Sequence, residues 1–125
     1  MDLKDKNRSE WERLYKSFAC AINGFIYALK RERNLQIHLV IGFLVVALGL
    51  LFHITETEWL IIICLIGGIL SFELMNTAIE RVVDLITDQY HPLAKVAKDI
   101  AAAAVFIFAI TAVIIGLVIF IPYIF

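Results

Sequence analysis

The chain has 125 residues, of which 62% are hydrophobic and 18% charged, and its mean hydropathy is +0.87. A soluble domain runs at about 45–50% apolar and about 25% charged, so a soluble globule is excluded and lipid is the expected solvent for the apolar blocks. The net charge of −1 is a cancellation: eight basic residues fall in 1–33, three more (Arg81, Lys95, Lys98) in 80–99, and none elsewhere.

The hydrophilic start, with no apolar run after the first few residues, argues against a cleaved signal peptide. Over 9–33, Trp11, Leu14, Tyr15, Phe18, Ile22, Phe25, Ile26 and Leu29 recur every three or four residues among Glu12, Arg13, Lys16, Asn23 and Lys30. That period predicts an amphipathic helix, and Ser9 followed by Glu12 predicts a capping box at its start. A basic helix of this kind lies flat in a membrane interface, as an anchor or as a lid over a site.

Three apolar stretches follow, at 35–54, 59–79 and 100–124, each long enough to cross a bilayer as a helix. Alternating short segments of a barrel are not present. The fold expected is all-α and membrane-integral, one domain of three spans behind a surface helix. The basic flanks place the N-terminus and an 80–99 loop in the cytoplasm. The 53–58 connection and the C-terminal tail carry no Lys or Arg, which assigns them to the outer side, with Trp59 and Tyr123 at that interface.

The second span holds the chemistry-bearing pattern. Glu73, Asn76, Thr77, Glu80 and Asp84 share one helix face, with Glu73 and Glu80 about 10 Å apart along the axis. A carboxylate inside a span costs about 2.5–3.5 kcal/mol even on the insertion scale, so such a residue is a site hypothesis by default. Interhelical packing is the competing reading; three polar residues with no Lys or Arg on their face favour a site that takes a cation. Hard cations prefer carboxylate oxygens, and Mg²⁺ uses one or two of them together with phosphate and water. A deep Glu also suits a general base.

Glu32 lies at the mouth of the first span, as a ligand or as part of a solvated cluster. Lys98 and Asp99 open the third; Asp99 reads as a helix cap or a nucleotide contact, Lys98 as a contact to lipid phosphate or nucleotide. His38, His53 and His91 stand isolated, a pattern more often structural than catalytic. Cys20 and Cys64 lack metal-ligand spacing and read as small apolar residues. Neither a P-loop nor a G-x-G-x-x-G fingerprint is present.

The run Glu73-Leu-Met-Asn76-Thr-Ala-Ile-Glu80-Arg-Val-Val-Asp84, followed by Tyr90-His91 and by Ala97-Lys98-Asp99, resembles the small lipid kinases of the prokaryotic diacylglycerol kinase family. Gly24 and Glu32 also match, and Arg31 to Asn34 with Ile37 and His38 is similar to the family's Gram-positive undecaprenol kinase branch. The resemblance implies a homotrimer in the bacterial cell membrane that transfers phosphate from ATP, with Mg²⁺, to a lipid alcohol. Undecaprenol is the expected acceptor and diacylglycerol the alternative; nucleic acid is not an expected partner. By position, the resemblance makes Glu73 the base and has Asn76 position the reacting groups. Glu32 and Glu80 would hold Mg²⁺ and the ATP phosphates, with Arg13, Gln89, Tyr90, His91, Lys98 and Asp99 toward nucleotide. A non-enzymatic assembly or ion-binding subunit is the reading from another class.

Overall fold

The computed structural model describes residues 9–125; the basic residues Lys4, Lys6 and Arg8 lie outside the described residues. Four helices follow one another: α1 (Glu10–Arg31), α2 (Arg33–Phe52), α3 (Glu56–Ile86) and α4 (Pro92–Ile124). The chain divides into two compact units, one ending at Arg33 and one formed by Asn34–Phe125.

In the first unit, Ser9 caps α1 by accepting a hydrogen bond from the Glu12 N–H at 3.3 Å, which is one half of the expected box. The apolar stripe forms as predicted, with Trp11, Tyr15, Phe18 and Ile22 exposed. Lys30 and Arg31 occupy the last turn, where cations complement the helix dipole, and the Arg31 guanidinium lies 4.0 Å from the centroid of the Tyr27 ring. Glu32 then leaves the helix with extended backbone, its N–H still bonded to the Ala28 carbonyl at 2.7 Å.

In the second unit, α2, α3 and α4 are each long and apolar enough to cross a membrane, and less than a quarter of each apolar window is buried inside the chain. Burial is confined to narrow seams, and small residues let the helices approach. Leu35, Gly42 and Gly49 recur every seven residues along α2. A Cβ at Gly42 would sit 3.4 Å from Ile66, and one at Gly49 only 2.7 Å from the Trp59 ring, so both glycines face α3. Between α3 and α4, Gly68 accommodates Phe108, whose ring also packs on Phe72 at a centroid distance of 5.1 Å.

One end of this unit is closed firmly. Ile54, Ile62, Ile119 and Phe120 form a buried cluster flanked by Phe52, Trp59 and Tyr123, and the Phe52 and Tyr123 rings stack at 6.0 Å. His53 ends α2 in the left-handed region (φ 52°). Thr55 and Glu58 then form a complete capping box that opens α3, and the Tyr123 hydroxyl donates to the same Glu58 carboxylate. The box reads as T-x-x-E in the sequence, and its two reciprocal bonds satisfy orphan N–H groups at the helix start.

At the opposite end the expected 80–99 loop shrinks to residues 87–91, because α3 runs on to Ile86 and α4 begins at Pro92. Hydropathy marks where lipid ends, and helix does not end there: Glu80, Arg81, Lys95 and Lys98 leave the apolar region without breaking the helix. His91 is the N-cap of α4, its ring accepting from the Leu93 N–H at 3.1 Å, with Pro92 in the first turn. This pairing of cap and proline starts a helix. Asp99 is therefore two turns inside α4 and caps nothing.

Candidate active site

The polar stripe of α3 forms as the spacing predicts, and its deep end is buried: Glu73 is 4% exposed and Thr77 6%. The Thr77 hydroxyl donates back to the Glu73 carbonyl at 3.0 Å, which satisfies it within its own helix. One turn further, the Asn76 amide donates to Glu80 Oε1 at 3.2 Å. The other half of that amide, Asn76 Oδ1, is buried with no hydrogen-bond partner. Buried acceptors are normally satisfied, so this oxygen marks a place where a donor or cation belongs.

From α2, His38 brings its Nδ1 to 2.9 Å from Glu73 Oε1, the side chains being 23% and 5% exposed. The distance is that of an ion pair, and Nδ1 makes no hydrogen bond. The histidine read as isolated is thus in contact with the deepest carboxylate. A signal was present: Asn34 and His38 are polar residues one turn apart in the polar start of a helix that is apolar from Leu39 onward.

These groups line a cleft of about 580 Å³. Asn34 and His38 come from α2, Glu73 and Asn76 from α3, and Asp99 from α4, whose Ala102, Ala103, Val105, Phe106 and Ala109 complete it as an apolar wall. One side of the cleft thus offers carboxylates and amides and the other offers methyl and phenyl groups, a surface for a molecule that is a hydroxyl at one point and hydrocarbon beyond it.

The remaining predicted residues sit elsewhere. Lys98 Nζ bonds Asp84 Oδ1 at 2.7 Å, joining α4 to the foot of the stripe, and both side chains are more than a third exposed. Lys95 Nζ bonds Asp99 Oδ2 at 2.6 Å within α4. Gln89, Tyr90 and His91 belong to the 87–91 connection: the Gln89 N–H bonds the Thr87 hydroxyl, Tyr90 is exposed, and His91 caps α4. Arg13, on α1, and Glu32, just past its end, belong to the first unit. Among the described residues, no three His, Cys, Asp or Glu side chains cluster as a metal cage.

Residues 19–120 match the family model for prokaryotic diacylglycerol kinase. The chain is 52% identical over 122 residues to the undecaprenol kinase of Bacillus subtilis, covering 98% of both proteins. It is 39% identical over 117 residues to a diacylglycerol kinase of Synechocystis, covering 90% of this chain and 67% of that one. With a diacylglycerol kinase of Pseudomonas aeruginosa it shares 29% identity over 104 residues, covering 82% and 83%. With the stripe, the cleft and a match over most of its length, this chain belongs to the prokaryotic diacylglycerol kinase family.

Proposed function

We propose that the protein transfers the γ-phosphoryl group of ATP to the hydroxyl of a membrane lipid alcohol, with undecaprenol as the preferred acceptor. The observation that carries the reading is the buried Glu73 carboxylate at the polar side of a cleft whose other wall is hydrocarbon. A long alcohol enters laterally, lays its chain on Ala102, Ala103 and Phe106, and presents its hydroxyl to Glu73. That carboxylate takes the hydroxyl proton as the oxygen bonds to the γ-phosphorus and the bond to the β–γ bridging oxygen breaks, releasing ADP. Phosphoryl transfer asks for positioning and charge neutralisation more than covalent chemistry, and Asn76, held on Glu80, is placed for the first.

Mg²⁺ is read as part of the substrate, MgATP, in which it neutralises phosphate charge. The lack of a three-residue cage among the described residues agrees with an ion held by one or two carboxylates and by the phosphates. The unpartnered Asn76 Oδ1 beside Glu80 offers oxygen donors of the right hardness; Glu32 is assigned as the second carboxylate by the family resemblance alone. Lys98, Asp99, Arg13, Gln89, Tyr90 and His91 face nucleotide in this reading. The 87–91 connection and the N-terminus are then cytoplasmic, where ATP is, and the chain works as a homotrimer in the cell membrane with α1 on its inner surface.

The acceptor is favoured by the Bacillus subtilis relative, which is 52% identical, against 39% and 29% for two of the diacylglycerol kinases. Purified protein given labelled ATP and either lipid tests it: faster phosphorylation of undecaprenol is expected, and preference for diacylglycerol overturns the choice. Glu73→Gln should abolish turnover and keep ATP binding; a near-normal rate refutes the base assignment. Lack of ATP consumption with both Mg²⁺ and lipid alcohol present would favour the non-enzymatic alternative.

A further inference from the structure

We propose that His38 works with Glu73 as a two-residue base, accepting from the carboxyl group the proton taken off the acceptor hydroxyl. The inference rests on the reading of Glu73 as the base and goes beyond it to ask how that base is reset.

A base that is 4% exposed has a disposal problem. After each turnover it is a carboxylic acid facing hydrocarbon, and it must lose its proton before the next acceptor arrives. His38 Nδ1 is 2.9 Å from Glu73 Oε1, and its side chain is 23% exposed where the carboxylate's is 5%. The histidine also lines the cleft. It therefore touches the buried acid on one side and reaches the cleft on the other. Imidazole serves as a proton shuttle because its ring nitrogens can both take and release a proton.

The balance is simple. The acceptor O–H proton passes to Glu73 while the new O–P bond forms and ADP leaves. It then moves from the Glu73 carboxyl to the Nδ1 lone pair of the neutral His38 ring, whose hydrogen is on Nε2, giving carboxylate and imidazolium, and the imidazolium loses a proton to water and returns to the Nε2–H tautomer. No oxidant, reductant or further co-reactant is required. Nδ1 without a hydrogen-bond partner suits a contact that forms once Glu73 carries the proton and its O–H can donate to the ring, as catalytic hydrogen bonds absent in free enzymes commonly do. Two further charged groups bear on the ring: Asp99, from α4, lines the same cleft, and Glu80, held by Asn76, lies two turns along α3 from Glu73.

The test uses the full-length protein in lipid, with kcat and KM for ATP measured across the pH range in which imidazole titrates. His38→Gln and His38→Ala should each lower kcat about 10²-fold, move KM for ATP less than about threefold, and lose the imidazole-dependent limb of the kcat profile. Added imidazoles should restore His38→Ala, the rescued rate following the basicity of the imidazole used. Should His38→Ala not fold, His38→Gln keeps an amide in the same space and the pH profile decides. The proposal is overturned by a kcat within about threefold of the parent with its pH profile unchanged, or by rescue indifferent to basicity, which would mean cavity filling. Glu73→Gln run alongside separates the two levels. If it is near-normal, the base assignment itself falls; if it is inactive while His38→Gln is normal, only the role of His38 falls.

Discussion

Replacing Gly68 by Ala should damage both stability and turnover, although the residue touches no site group. A Cβ built there lies 2.3 Å from Phe108 Cζ and within 3.0 Å of two further ring atoms, so the closest contact is 1.1 Å short of the 3.4 Å at which ordinary contact begins. Phe108 cannot simply swing away, because its ring packs on Phe72 at 5.1 Å, and Phe72 adjoins Glu73. Overpacking of this kind costs about 1–3 kcal/mol, against about 1 kcal/mol gained when Ala replaces Gly within a helix. Gly67→Ala is the internal control: nothing lies within 4 Å of its added Cβ, so it receives the helix gain without the clash. The two variants should therefore differ by about 1–3 kcal/mol in reversible unfolding in mixed micelles. If α3 moves off α4 to relieve the contact, Glu73 shifts relative to Asp99, and an ångström of misplacement costs about 10²-fold in rate. Phe108→Leu in the Gly68→Ala background should recover part of both losses. Equal stability of Gly67→Ala and Gly68→Ala would refute the packing argument.

Three further outcomes follow from other contacts. Thr55→Ala removes the acceptor of the Glu58 N–H and should cost about 1 kcal/mol, read by unfolding in the same micelles with kcat unchanged. The Lys98–Asp84 pair is more than a third exposed on both sides and worth no more than about 1 kcal/mol, so nucleotide phosphate can take Lys98 from it. Lys98→Met should raise KM for ATP about tenfold while Asp84→Asn leaves or lowers it, and equal rises in both would make the pair structural. The mass of the detergent-solubilised particle should correspond to three chains, and a monomer that turns over at full rate would remove the trimer from the proposal.

What was legible in the sequence lay along single helices. The three spans follow from the length of their apolar runs, and the amphipathic α1 and the Glu73, Asn76, Glu80 face from one period of 3.6 residues. Helix ends past the lipid were less legible, because Arg81, Asp84, Lys95 and Lys98 continue a helix without adding to hydropathy, although His91 with Pro92 did carry the start signal of α4. Contacts between helices were not legible. Nothing in the spacing of His38 announces that it meets Glu73, 35 residues away, or that Lys98 meets Asp84 across the 87–91 connection. Such pairs depend on helix rotation, which here is set by Gly42 against Ile66 and Gly68 against Phe108.

The two ends of the three-span unit are built to different standards, and the difference suits the chemistry. At the 53–55 turn, a buried cluster, stacked Phe52 and Tyr123, a full capping box and the Tyr123 to Glu58 bond all act together. Each depends on the others, so opening there requires much of the unit to come apart. At the other end, α3 and α4 are joined by a five-residue connection and the partly exposed Lys98–Asp84 pair, and the cleft lies toward it. Local opening draws on regions with few buried contacts, so the helix ends around Asp84 and Lys98 should exchange amide hydrogens faster than those around Ile62 and Ile119. A site that must admit a lipid from the side and a nucleotide from water needs the loose end. The firm end keeps α3 in register with α4, which holds Glu73 against His38 in a cleft that Asp99 also lines.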